Sequence, residues 1–165
     1  AISMFPQIAT ISPLFLFMQS AGLRNTYAGL VIPYTTYALP LAIWYMTTFF
    51  RNIPYELEEA AKMDGASALV VFYKVLVPLV SPGLFTTAII VFVDAWHEFL
   101  FSLTMNTKES MMTVPVGIAM IQGEFTFPWG EISAAAVTVT VPIIVLVLLF
   151  QRCIISGLTS GAVKE

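Results

Sequence analysis

Four long apolar stretches constrain this 165-residue chain more than any other feature. They occupy residues 2–18, 27–50, 82–103 and 132–155, and only a short turn around residues 22–26 separates the first two, which predicts a helical hairpin. Each is long enough to cross the hydrocarbon core of a membrane, about 30 Å thick, as an α-helix. Charged residues make up only 10% of the chain, against roughly a quarter in soluble domains. The sequence therefore predicts one all-α integral membrane domain over residues 1–165, with about four transmembrane helices.

The distribution of basic residues predicts how the chain is oriented in the membrane. Four crossings place the C-terminus and the loop 51–81 on one side and the loop 104–131 on the other. Five basic residues fall on the first side and two on the second: Arg51, Lys62, Lys74, Arg152 and Lys164 against Arg24 and Lys108. Since cytoplasmic loops carry the excess of Lys and Arg, we expect a multi-pass plasma-membrane protein with residues 51–81 and the C-terminus in the cytoplasm. Residues 104–131 are then an extracytoplasmic loop.

Several classes of function are not supported by the residues present. The net charge is −3 and the basic residues are scattered, so no nucleic-acid partner is predicted. A zinc hydrolase would need H-E-x-x-H, but His97 is the single histidine. A phosphate-binding G-x-x-x-x-G-K-[ST] loop is absent, since no lysine directly follows a glycine. We therefore predict no metal, no cofactor and no enzymatic activity in this chain.

Residues 53–65 have the pattern of a short surface helix. Pro54 suits the first turn, and the glutamates that follow it complement the positive helix N-terminus. Gly65 predicts a left-handed stop. The small side chains on this helix would let a protein partner approach closely, whereas the alternative is an amphipathic helix lying on lipid headgroups. The helix is rich in Glu while anionic lipid attracts Lys and Arg, so we favour a protein partner.

A second helical stretch is predicted over residues 66–75. Pro78 and Pro82 follow it, and prolines shortly after a helical pattern usually mark its end. We therefore expect the chain to turn back into the membrane at these two prolines.

A long motif lies in this loop, and shorter ones lie elsewhere. The loop contains Glu59-Ala60-Ala61, Asp64-Gly65-Ala66, Phe72, Pro78-Leu79 and Pro82. The other motifs are Met4-Phe5-Pro6, Leu39-Pro40-Leu41-Ala42-Ile43-Trp44 and Gly157-Leu158-Thr159-Ser160-Gly161-Ala162-Val163-Lys164. The loop motif resembles the cytoplasmic EAA loop of permease subunits of binding-protein-dependent ABC importers. Over essentially the whole chain, the motifs together resemble the carbohydrate branch of that family, the maltose-type second permease.

The resemblance implies a transport subunit that forms part of the translocation path for a sugar or related polyol. Its implied partners are a dimer of cytoplasmic ATPase subunits, a second homologous permease and an extracytoplasmic solute-binding protein, with membrane lipid around the helices. Family members have six crossings, so the chain resembles a C-terminal portion that lacks an N-terminal part. The residues implied in ATPase docking are Glu59, Ala60, Ala61, Met63, Asp64 and Gly65.

A polar cluster lies inside the third apolar stretch and consists of Asp94, Trp96, His97 and Glu98. On a continuous helix, Asp94, His97 and Glu98 would share one face. Ionisable residues at such a depth mark a functional or bundle-interior position. Three hypotheses remain open: contact with solute, a structural cluster between helices, and a proton relay in a secondary carrier, with an intramembrane enzyme as a further alternative. In the family pattern an Asn often stands where this chain has His97.

Overall fold

The computed structural model describes residues 6–123 and 127–162, and in these ranges every regular element is helical. This confirms the predicted all-α fold. Eight α-helices follow one another: α1 Gln7–Ser20, α2 Tyr27–Arg51, α3 Tyr55–Met63, α4 Ala68–Val71, α5 Val77–Trp96, α6 Leu100–Met105, α7 Val114–Met120 and α8 Trp129–Ala162. A π-helical segment, Phe72–Leu76, joins α4 to α5, and a 3₁₀ turn, Glu109–Met111, precedes α7.

A tight turn joins α1 to α2, as the sequence predicted. Gly22 adopts a left-handed conformation with φ +68°. The Leu23 N–H donates to the Met18 carbonyl at 2.9 Å, and the Gly22 N–H donates to the Gln19 carbonyl at 3.1 Å. These two bonds form a Schellman motif, which satisfies carbonyls that the end of a helix would otherwise leave unpaired. The helical hairpin α1–α2 follows from this cap.

The expected turn at Pro78 and Pro82 is wrong. The helix continues without a break from Ala68 to Trp96 through both prolines. Pro82 has no N–H to donate to the Pro78 carbonyl, but the Ser81 hydroxyl donates to that carbonyl at 2.8 Å. The π-helical segment Phe72–Leu76 ends two residues before Pro78.

The third and fourth apolar stretches also have different helical bounds from those predicted. The third was expected to remain helical to residue 103, but α5 ends at Trp96 and α6 begins at Leu100. The break between them lies in the polar cluster. The fourth was expected over residues 132–155, and α8 is longer, Trp129–Ala162.

Two helices in the described ranges are long and apolar enough to cross a membrane by length and composition alone. They are Ala68–Trp96, with mean hydropathy 2.2, and Trp129–Gln151, with mean hydropathy 2.6. The second buries none of its residues within this chain, and Leu148 and Leu149 are 59% and 72% exposed. Such an apolar surface is stable against lipid or other protein and not against water.

Helix α2 is long enough for a third crossing but carries several polar side chains. Its 25 residues extend about 38 Å at 1.5 Å per residue. The hydroxyls of Thr35, Thr36 and Thr48 donate to carbonyls four residues earlier, at 2.7, 2.9 and 3.0 Å. These bonds satisfy the hydroxyls within the helix. For the first predicted crossing, residues 2–18, the structure describes a 14-residue helix, α1, and residues 2–5 of that stretch lie outside the described residues.

The chain folds as two compact units. Unit 1 comprises the described residues up to Pro40 together with Phe92–Leu146. Its core consists of Met18, Phe101 and Met105, each no more than 1% exposed. Apolar and tyrosine side chains of α1 and α2 and of the turn between them surround this core: Ile11, Leu14, Phe15, Leu23, Leu30, Tyr34 and Tyr37. The core holds α6 against the α1–α2 hairpin.

Unit 2 comprises Leu41–Val91 together with the described residues from Val147 onward. Its packing is mostly aromatic. The rings of Phe50 and Phe72 stack with their centroids 6.4 Å apart, and those of Phe85 and Phe150 stack at the same separation. Gly83 lies directly against the ring of Phe49. The ring of Phe72 thus holds the π-helical segment against α2.

Replacement of Gly29 by Ala should destabilise unit 1. A Cβ at this position would collide with the carbonyl of Leu23, and a backbone atom in a capped turn cannot easily move. We expect a loss of about 1–3 kcal/mol, measured as a lower midpoint of thermal unfolding in detergent. Gly117→Ala is the matched control, since nothing lies within 4 Å of the added Cβ. An equal effect of both variants would contradict this account.

Candidate functional site

The predicted docking surface is built on α3, which the local sequence specifies at both ends. The helix begins at Tyr55, directly after Pro54, whose φ is −60°. Glu56 and Glu58 lie in the first turn, where carboxylates interact favourably with the positive end of the helix dipole. The predicted surface helix in the middle loop is therefore present, at Tyr55–Met63.

Gly65 ends this helical element in the left-handed conformation that the sequence predicted, with φ +81°. The Ala66 N–H donates to the Ala61 carbonyl, and the Gly65 N–H donates to the Lys62 carbonyl, both at 3.0 Å. This is a second Schellman motif. No atom lies within 4 Å of a Cβ built on Gly65. Glycine is therefore required here for its backbone conformation and not for lack of space within this chain.

The docking surface is exposed to its surroundings. Helix α3 has no buried residue, and Met63 is 88% exposed. Lys62 donates to Glu58 one turn earlier, with Nζ and Oε1 2.6 Å apart. This hydrogen bond to Glu58 raises the pKa of Lys62 above its ordinary value. Glu59 and Asp64 form no side-chain hydrogen bond or ion pair with the described residues, which leaves both carboxylates available to a partner.

The four residues of the predicted polar cluster do not share one helical face. Asp94 and Trp96 lie at the end of α5, while His97 and Glu98 fall in the break before α6. The predicted face of Asp94, His97 and Glu98 is wrong because the helix ends between its members. Asp94 and His97 are exposed, whereas Glu98 is half-buried. The cluster thus divides into two parts with different surroundings.

Glu98 is fully engaged in hydrogen bonds. Its Oε1 accepts from the Phe101 N–H at 2.7 Å, and its Oε2 accepts from the Ser102 N–H at 3.2 Å and from the Tyr34 hydroxyl at 2.6 Å. The Phe99 side chain at the N-cap position of α6 has no oxygen to perform this capping. Glu98 supplies that oxygen, so the carboxylate is the physical reason for the helix break.

The other cluster residues make fewer contacts. The His97 ring Nδ1 lies 2.9 Å from the Val93 carbonyl. The Trp96 ring packs against Phe92 with centroids 5.3 Å apart, and its indole N–H is buried without a hydrogen-bond acceptor in the described part of the chain. Asp94 makes no side-chain hydrogen bond or ion pair with described residues. Asp94 and His97 can therefore offer exposed polar groups to a ligand, and Trp96 can offer part of its ring.

Sequence reasoning missed the partners that organise this region. Tyr34 is 64 positions before Glu98, a separation at which no spacing rule operates. Thr113 donates from its hydroxyl to the Glu98 carbonyl at 3.2 Å and from its N–H to the Ser102 hydroxyl at 3.0 Å. The one available signal was Thr113 itself, a residue type typical of the N-cap position that it occupies in α7.

Asn25 was also missed. It adopts positive φ, 57°, a conformation that Asn tolerates better than most residues. Its side-chain Oδ1 accepts from the Thr107 N–H at 2.7 Å and from the Lys108 N–H at 2.9 Å. Its Nδ2 donates to the Thr107 hydroxyl at 3.0 Å. The α1–α2 turn is thereby joined to the chain that follows α6.

Two other kinds of site receive little support from the described residues. No group of three or more His, Cys, Asp or Glu side chains within them is arranged to hold a metal ion. A cleft of about 660 Å³ involves α7 and α8, and its lining is mostly apolar, with Met112, Ile118 and Val139 among the lining residues. None of the predicted site residues lines this cleft.

The helical fold, the exposed apolar helices and the capped surface helix define a membrane permease component. The chain belongs to the family of inner membrane components of binding-protein-dependent transport systems, whose family model matches residues 1–159. The family predicted from the loop motif is thus confirmed. Membership also makes the chain a transport component and not an enzyme.

Several characterised permeases are similar along the chain. It is 52% identical over 165 residues to the trehalose transport system permease protein SugB of Mycobacterium tuberculosis, covering 99% of this chain and 60% of the relative. It is 45% identical over 164 residues to the trehalose/maltose transport system permease protein MalG of Thermococcus litoralis, covering 99% and 59%. The sulfoquinovosyl glycerol permease protein SmoH of Agrobacterium fabrum is 44% identical over 164 residues, covering 99% and 58%. The chain thus spans about three fifths of the length of these relatives.

Removal of the Glu98 carboxylate should destabilise unit 1, whereas removal of the Asp94 carboxylate should not. Glu98→Ala leaves the Phe101 and Ser102 N–H groups without their acceptor, and a hydrogen bond to a charged group contributes about 1.5–3 kcal/mol. Asp94→Ala should stay within about 0.5 kcal/mol of the unmodified protein. Thermal unfolding in detergent compares the two variants, and equal midpoints would show that the Glu98 bonds do not stabilise the fold.

Proposed function

We propose that this chain is part of the permease subunit of an ATP-driven importer for a sugar or a related polyol. Support comes from the family match and from relatives named as permeases for trehalose, maltose and sulfoquinovosyl glycerol. The observation that carries the mechanism is the exposed α3, capped at its C-terminal end, with the carboxylates of Glu59 and Asp64 unpaired among the described residues. Such an element is suited to receive a mechanical input from another protein.

In this proposal, the loop 51–81 docks on a dimer of cytoplasmic ATPase subunits. Glu59 and Asp64 offer carboxylates to basic groups of the ATPase, while Ala60, Ala61 and Gly65 permit close approach of its surface. Met63 offers an exposed, flexible apolar side chain to a pocket on the partner. The chain lacks a phosphate-binding loop of its own, so the ATPase supplies the energy and the loop transmits it.

The remaining partners are those that the family resemblance implies, placed according to the orientation proposed from the basic residues. With residues 51–81 and the C-terminus in the cytoplasm, the loop 104–131 faces outward, toward an extracytoplasmic solute-binding protein. A second homologous permease completes the translocation path. Closure of the ATPase dimer would move α3 and thereby switch the path between outward and inward access.

Within this path, we assign Asp94, Trp96 and His97 to contact with solute. Asp94 and His97 are exposed, and the Trp96 indole N–H has no acceptor among the described residues. A carboxylate and an imidazole can bond sugar hydroxyls, and an indole ring can pack on an apolar sugar face. Glu98 has a structural role instead, because its carboxylate is occupied by three donors. That occupation also disfavours a proton relay through all three ionisable groups.

Changes at Glu59 and Gly65 should uncouple the permease from its ATPase. Glu59→Ala removes a carboxylate, and Gly65→Val forces a β-branched residue into the left-handed conformation, at a cost of about 1–2 kcal/mol. Both variants should insert in the membrane but retain less ATPase on co-purification and show less solute-stimulated ATP hydrolysis. The assay uses the full-length permease with its ATPase, second permease and binding protein.

Matched controls separate docking from general destabilisation. Gly22→Val introduces the same strain at the other left-handed glycine, φ +68°, and Glu109→Ala removes an exposed carboxylate from the loop proposed to face outward. Both controls should retain the ATPase. Normal attachment and coupling in the Glu59 and Gly65 variants would instead mean that α3 lies on lipid.

Substitution in the polar cluster should change solute affinity. Asp94→Asn removes a negative charge, Trp96→Phe removes the indole N–H, and His97→Gln replaces the imidazole by an amide. The loss of about 1.4 kcal/mol of solute binding raises the apparent Km roughly tenfold. Initial uptake rates of radiolabelled trehalose or maltose in proteoliposomes measure this. Glu131→Gln, at an exposed position of α8, is the control. Unchanged Km in all three variants would remove these residues from the solute path.

A further inference from the structure

Residues 97–113, which we term the outer segment, comprise the helix break, α6 and the chain up to α7. This segment could have moved as a continuation of α5, because it follows that helix directly. Its contacts are instead with α1 and α2. The apolar core of unit 1 joins Phe101 and Met105 of this segment to Met18 of α1. The ring of Tyr37 on α2 packs on Phe101 with centroids 5.2 Å apart.

Two polar contacts then fasten the segment at both ends. Near its start, the Glu98 carboxylate accepts from the Tyr34 hydroxyl of α2 at 2.6 Å. Near its end, the Asn25 side chain exchanges hydrogen bonds with Thr107 and accepts from the Lys108 N–H. The Asn25 N–H also donates to the Met105 carbonyl at 3.3 Å. Both anchors lie on the α1–α2 hairpin.

The segment is also closed on itself. Thr113 bonds back to Glu98 and Ser102, and the Asn106 amide donates to the Met111 carbonyl at 2.6 Å. Ser102 and Asn106 are 0% and 2% exposed. The Asn106 Oδ1 is buried without a donor in the described part of the chain, but displacement of Thr113 or of the Asn106 amide would leave further buried groups unpaired. The segment therefore keeps its shape, and its position depends on the anchors.

We propose that Glu98 and Asn25 are positioning residues that fasten the outer segment to the α1–α2 hairpin, so that the two move as one body. The break at Glu98 then separates the segment from the motion of α5. Within the proposed importer, on which this functional consequence rests, the hairpin would set the position of the outer segment during each transport cycle. Neither residue contacts solute in this scheme.

The test is a distance measured between spin labels at position 8 of α1 and position 109 of the outer segment. Ile8 is 71% exposed and Glu109 is exposed, and thirteen residues of α1 extend about 20 Å, a range suited to pulsed electron resonance. The label pair is placed in the full-length permease with native cysteines replaced, reconstituted in lipid with its partner subunits. We expect one narrow distance distribution, unchanged between the nucleotide-free and ATP-trapped states.

Three variants test the anchors. Tyr34→Phe removes a single hydroxyl, Glu98→Gln weakens the cap and the anchor together, and Asn25→Gly removes the amide while allowing positive φ. In each variant, the narrow distance distribution should become broader or shift. Tyr27→Phe, at a position of α2 that is 74% exposed, is the control, and its distance distribution should stay narrow. A state-dependent distance in the unmodified protein, or no change in the variants, or an equal change in Tyr27→Phe, would overturn the proposal.

The distance separates this inference from the proposed function. If the complex neither binds ATPase subunits nor takes up sugar, the nucleotide-free distance in lipid still tests whether the anchors hold. If uptake is normal but the variants leave the distance narrow, the proposed function stands and the anchoring is wrong. In variants that keep normal ATPase attachment, loss of the narrow distance should accompany a changed Km for uptake, which a purely local stabilising role would not produce.

Discussion

Lipid offers no hydrogen-bond partner to a backbone group, and this constraint determines where the helices of this protein break and where they continue. At Glu98 the helix breaks because a carboxylate accepts from the N–H groups that the next helix leaves free. At Pro82 the helix continues because the Ser81 hydroxyl donates to the carbonyl that the proline leaves free. In both places a side chain replaces a missing backbone partner.

The same constraint gives a physical division within the polar cluster. A carboxylate that accepts three hydrogen bonds cannot easily give them up for a passing solute, because the abandoned donors would remain unpaired. Asp94 and His97 are exposed, and neither forms a hydrogen bond with the side chain of another described residue. Neighbouring residues of the polar cluster can therefore have separate structural and functional roles, decided by which of them accepts the hydrogen bonds at the break.

Local rules predicted the parts of the fold that depend on local geometry. The fold class, the α1–α2 turn and the left-handed Gly65 all followed from short patterns. The continuous helix through Pro78 and Pro82 did not, since its continuity depends on a serine hydroxyl that proline rules do not consider. The Glu98 cap was missed because its contact with Tyr34 joins distant parts of the chain. The docking and solute roles stay predictions, because they concern partners outside this chain.

Helix α3 has a consequence for the energetics of attachment. It has nine residues, none of them buried, and isolated helices shorter than about 12–15 residues are marginal in water. It therefore depends on its C-terminal Schellman cap and on its contacts with α4 and the π-helical segment to remain helical. The free energy of binding a partner to the helical form must offset the conformational entropy that the ends of the helix lose when they become ordered. Attachment strength is then tunable through helix propensity alone, at positions that the partner never touches.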